Sequence, residues 1–93
     1  MTDETSFEMP GFSGRVIGNL EDMSIIDAHI DGVIESHKAT SEEFAIVMSG
    51  EILVTMNGDT ARYGPGDYLF VPVGAEHGIT AVVPSRLILV GKA

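Results

Sequence analysis

The side chains of this chain best suited to chemistry are few: His37, Glu42, Glu43 and His77, with His29 inside the segment "IDAHID". Imidazole and carboxylate groups converging from separate segments can hold a divalent ion, and a set of two histidines and one carboxylate suits Fe(II), Mn, Ni, Co or Zn more than Mg or Ca. The chain has no cysteine. A disulfide framework, a zinc-thiolate site and a cysteine nucleophile are therefore excluded, and any metal must be held by nitrogen and oxygen. The serines sit in no nucleophile-elbow pattern, and the glycines of "GFSGRVIG" form neither a Walker loop nor a dinucleotide fingerprint. Nothing in the spacing promotes a carboxylate pair for glycoside hydrolysis.

Spacing orders the candidates. Glu43 lies six residues after His37, and Gly50 follows Glu43 with six residues between them. In "GDYLFVPVGAEH", Gly66 is followed after five residues by Pro72, then by Gly74 and, past two further residues, by His77. These two segments resemble the motifs of the cupin superfamily, G(X)5HXH(X)3,4E(X)6G and G(X)5PXG(X)2H(X)3N, over residues 32 to 81. The second motif is matched at Gly66, Pro72, Gly74 and His77, with Ala81 where the pattern has Asn. The first is matched at His37, Glu43 and Gly50, but Ala39 stands at its second histidine, and Gly32 is one residue too near His37. The resemblance implies an all-β, single-domain, jelly-roll-like barrel or sandwich with little or no helix, and a metal site formed by His37, Glu43 and His77.

Strand parity says what those residues would do. If Glu43 points into a barrel, Ala45, Val47 and Ser49 follow it inward while Phe44, Ile46 and Met48 pack outside, and His77 shares its face with Ile79, Ala81 and Val83. A lone carboxylate on such an apolar wall costs several kcal/mol unless it is paired, protonated or bound to a cation. Each candidate also has a plainer reading. His37, between Ser36 and Lys38, is equally a solvated loop histidine; Glu42 competes with Glu43, though the spacing to Gly50 favours Glu43. His29, flanked by Asp27 and Asp31, reads most simply as part of one polar strand face, with a fourth ligand as the alternative.

The elements that must position these groups are short. "RVIGN", "MSIIDAHID", "EFAIVMS", "EILVTMN", "TARY", "DYLFVPV", "HGITAVV" and "RLILVG" are runs rich in Val, Ile, Leu and aromatics, separated by Gly, Pro, Asn, Asp and Ser. About eight short strands with no helical period between them form a sandwich or barrel. Asn57-Gly58 predicts a type I′ hairpin, and Gly64-Pro65-Gly66-Asp67 a second tight turn. Residues 1–13 show no period and are expected as a loose arm or edge segment, with the cupin domain over residues 14–93.

Fourteen acidic residues against five basic ones give a formal charge of −9, which repels phosphate backbones and anionic membrane surfaces, so neither nucleic acid nor membrane is an expected partner. No secretory signal opens the sequence, and the longest uncharged run, His77 to Ser85, is far short of the ~18 residues needed to span a bilayer; a cytoplasmic location is expected. A 93-residue domain buries only roughly 60–65% of its unfolded surface, and the apolar residues on both faces of "EFAIVMS" point to a homodimer. Two functions remain open. One is a metal-dependent enzyme, an oxygenase, isomerase or lyase, on a small organic substrate; the other, favoured by Ala39, is a non-catalytic small-ligand-binding or sensor protein with a degenerate metal site.

Overall fold

The computed structural model describes residues 6–92, which are β-strand and turn throughout, with no helix among them. The strands are β1 (Ser6–Met9), β2 (Phe12–Leu20), β3 (Met23–Ile30), β4 (Val33–Lys38), β5 (Glu43–Met56), β6 (Asp59–Tyr63), β7 (Tyr68–Val71) and β8 (Glu76–Lys92). All pairings are antiparallel, and the path runs β1-β2-β3-β8-β5-β6, with β4 added to β8 and β7 to β5. The sheet does not close on itself.

The turns form where the sequence dictates. Asn57 and Gly58 have φ of 50° and 90°, and Met56 pairs with Asp59 across them, as a type I′ hairpin requires. The Asp67 amide donates to the Gly64 carbonyl at 2.9 Å across Pro65 and Gly66, and Gly66 at φ 89° takes the left-handed position that only glycine fills without strain.

The long strands are where structure and sequence pattern differ. "EFAIVMS" and "EILVTMN" read as two strands but form one, β5, and "HGITAVV" and "RLILVG" join as β8. Each is bent. Between Val47 and Ile52 the β5–β8 register slips three times, and on either side of this irregular stretch the neighbours change. The first half of β5 lies between β7 and the end of β8; the second lies between β6 and the start of β8. The ribbon thereby folds over, setting β4, β6 and the start of β8 as one layer and β1, β2, β3, β7 and the end of β8 as the other. Gly50 makes the fold possible. It sits at φ 90°, and a Cβ there would overlap the Ser85 hydroxyl and come within 2.7 Å of Ser85 Cα. Ser85 is buried, accepts from the Glu51 amide at 2.9 Å and donates to the Val83 carbonyl at 2.8 Å, so the corner is fastened by hydrogen bonds.

The corner also corrects two parity expectations. Ala45 and Val47 are buried as expected, but Ser49 and Val83 are exposed, because the register slips reset which side faces in. Ile30, Val47, Ile52, Val54 and Leu87 are the largest fully buried side chains, each contributing roughly 1.5–3 kcal/mol of burial. β4, whose polar run "ESHK" hides any alternation, pairs with β8 from Val33↔Thr80 to Lys38↔Glu76. Residues 6–13 form the edge strand β1, the turn after it and the start of β2, paired Phe7↔Gly14; residues 1–5 of the expected arm lie outside the described residues.

Candidate functional site

Three of the chemistry-bearing residues come together because the sheet folds over. Glu43 opens β5 and pairs with Gly91 and Val71, while His77 pairs with Met56 at the far end of the same strand. On a flat strand those positions would be roughly 40 Å apart. With the corner at Gly50, His77 Nε2 lies 4.0 Å from Glu43 Oε1. His37, at the end of β4, is directly opposite His77, and their ring centroids are 4.5 Å apart. The turn before His77 is built by Pro72 and Gly74: the Ala75 amide donates to the Pro72 carbonyl at 3.2 Å, with Gly74 at φ 83°. The Pro-x-Gly-x-x-His spacing thus sets where the β8 imidazole enters.

His37, Glu43 and His77 line one pocket of about 240 Å³ between the layers. His77 is 3% exposed, Glu43 is about one-third exposed and His37 stands at the mouth. Among the described residues no three His, Asp or Glu side chains are drawn close enough to hold an ion together as they stand. The chemistry of the donor set nevertheless fits one. His77 Nδ1 lies 3.3 Å from the Ala75 carbonyl and His37 Nδ1 lies 3.1 Å from the Glu35 carbonyl. Since a carbonyl only accepts, the Nδ1 that bonds it carries a proton, and in the corresponding neutral tautomer the acceptor lone pair sits on Nε2. Backbone carbonyls fix ligating imidazoles in this way.

The other candidates fall elsewhere. Glu42 is exposed, so Glu43 is the inward member of the pair. His29 lies on the opposite face of the sheet: its neighbours Ala28 and Ile30 are buried while His29 is exposed, 3.8 Å from Asp27. There Asp27 binds Arg86 at 2.8 and 3.3 Å, and that hydrogen bond holds the Asp27 carboxyl below the ordinary range. Ala39 is buried, as parity with an inward position requires, but it packs in the core and does not line the pocket. Sequence reasoning missed Phe7, Met9 and Lys92, which also line the pocket. For Phe7 and Met9 the only sequence signal was apolar residues in a segment without period; Lys92 carried none.

Residues 25–91 match the profile of the cupin domain family. The chain belongs to the cupin family. Among curated proteins none matches it. Solved structures show the same fold: an RmlC-like cupin from Shewanella frigidimarina superposes with a TM-score of 0.85 at 22% identity, covering 97% of this cupin and 83% of that chain. KdgF from Halomonas sp. gives 0.81 at 21% identity over 95% and 87% of the two chains. A structure from work on the DMSP lyases RdDddP and RnDddQII gives 0.77 at 20% identity, covering 88% of this cupin and 47% of that chain. In this cupin, the two motif segments are the strands and turn that carry Glu43, Gly50, Pro72, Gly74 and His77.

Proposed function

We propose that this cupin binds a divalent transition metal, Fe(II), Mn, Ni, Co or Zn, through His37, Glu43 and His77, and uses it as an enzyme on a small organic molecule held in the pocket. The observation that supports this reading is that the three groups facing the pocket at this end are all acceptors: a carboxylate and two imidazoles whose Nδ1 protons are engaged by backbone carbonyls. With both rings neutral such a set has no mutual hydrogen bond to make, and a cation is its natural partner. A bound ion would supply Lewis acidity or open positions for dioxygen, the chemistry of an oxygenase, isomerase or lyase. His37 and Glu43, both partly in solvent, are the ligands that close on the ion, while buried His77 is the fixed one.

A second reading, a ligand-binding or sensor cupin without catalysis, is favoured by Ala39, which supplies no ligand where the motif has histidine. Stoichiometric uptake of one of these metals by the purified protein supports the first reading; failure to bind any of them after reconstitution supports the second.

The outer sheet face suits a second copy of this chain. Phe70, Phe44, Val90 and Ile25 form one row across β7, β5, β8 and β3, and Tyr68, Ile46 and Ile88 a second beside it. Phe44 and Tyr68 stack at 5.9 Å. The charge bordering these rows, Asp27, is already paired with Arg86, so two such faces can meet despite the net charge of −9. No helix among the described residues is long and apolar enough to cross a membrane.

A further inference from the structure

We infer that the ligand of this pocket is a compact, ring-sized hydrophobic molecule presenting a hydroxyl or enol oxygen at one end, such as a phenol, and not a sugar or sugar acid. The inference rests on the reading of His37, Glu43 and His77 as the polar end of one site. Its own observation is the distribution of chemistry around the cavity.

Away from those three residues and Lys92, the lining side chains are hydrocarbon. Phe12, Ile30 and Ile34 form one part, and Leu69, Ile79 and Leu87 another, with Phe7 and Met9 at the rim. Each hydroxyl of a sugar would need a partner when buried, and the pocket offers none along these walls. A single apolar ring makes no such demand and gains from the contact. The size agrees: a dry Leu/Ile/Phe-lined cavity of about 150 Å³ accommodates benzene, and about 240 Å³ here leaves room for a ring with one or two substituents.

The polar end selects the head group. A carboxylate head would face Glu43, and the one cation among the described lining residues, Lys92, is already bound to Asp22 at 3.3 Å. A hydroxyl is different. It donates to Glu43 or to an imidazole Nε2 in the metal-free protein, and its oxygen ligates a cation once one is present. The same head group therefore suits the site in both states.

The test is a titration of the full chain, metal-free and metal-loaded, with p-cresol, benzoate, glucose and glucuronate, followed by NMR of the Ile34, Ile79 and Leu87 methyl groups. p-Cresol should bind both forms at least tenfold more tightly than glucose or glucuronate, and more tightly than benzoate in the metal-free form. Met9→Gln, at an exposed rim position, should weaken p-cresol about fourfold. Binding of glucuronate as tight as p-cresol, p-cresol binding that leaves the three methyl signals unmoved, or an unchanged affinity in Met9→Gln would each overturn the assignment. Binding of p-cresol by a protein that takes up no metal would leave this inference standing and remove the metal reading; metal uptake with preference for glucuronate would do the reverse.

Discussion

His37 and His77 face each other across β4 and β8 with ring centroids 4.5 Å apart, each ring tied through Nδ1 to a backbone carbonyl two residues before it. On neutral rings that arrangement leaves two Nε2 lone pairs on adjacent strands. If they hold a metal with Glu43, His77→Ala should weaken uptake by at least tenfold to a hundredfold, since one of three protein ligands is lost. Glu42→Gln, on the exposed side, should change it little. Ala39→His should cost roughly 1–3 kcal/mol of stability and leave metal uptake little changed, because position 39 packs in the core away from the pocket. Parallel titrations of the metal-free proteins with Fe(II), Mn, Ni, Co and Zn measure all three. Equal affinity in the wild type and His77→Ala would reject the site.

The apolar rows on the outer face make an association prediction. Sedimentation at micromolar concentration should give about twice the 9.9 kDa chain mass. Phe70→Glu should yield a folded monomer, since Phe70 is 52% exposed and its loss leaves the core intact while placing like charges face to face. A monomeric wild type would show that the face is not a self-interface.

The ion pair behind the sheet carries a pH signature. Hydrogen bonding from Arg86 lowers the Asp27 pKa in the folded state, so the contribution to stability is fully present above the unfolded value of about 3.9 and is lost as pH falls through the folded value. Asp27→Asn should therefore lower Tm at neutral pH, with the deficit shrinking as both proteins are acidified. Because Arg86 is solvent-exposed, added salt should shrink it too. A deficit that stays constant from neutral to acid would assign the effect to packing.

Gly50→Ala tests the corner. The methyl group meets Ser85 while the backbone stays at φ 90°, so a loss of roughly 2–4 kcal/mol is expected. The consequence for the site is specific: any relaxation of the corner separates Glu43 from His77, so metal uptake should fall although no ligand has changed. Gly58→Ala, also at φ 90° but with open space around it, should cost less and leave metal binding alone.

Much of the fold was legible because it is encoded locally. Asn57-Gly58 and Gly64-Pro65-Gly66-Asp67 name their turns through φ preferences that need no tertiary partner, and the period-2 runs name most of the strands. β4 was not legible, since "ESHK" borrows its strand conformation from pairing with β8. Nor was the continuity of β5 and β8 through Gly50 and Ser85, which reads as a break because a bent strand and a loop share the same residues.

The sequence by itself determined the types and spacing of the candidate site residues and the choice of Glu43 over Glu42. Only the tertiary structure decided that Glu43 and His77, paired at opposite ends of one strand, meet at 4.0 Å, that His29 faces away, and that the space beside them is lined with hydrocarbon. The physical reason is that turn conformation and side-chain alternation are set within a few residues. The folding-over of a fourteen-residue strand depends instead on a glycine and a buried serine brought together by the packing of two layers.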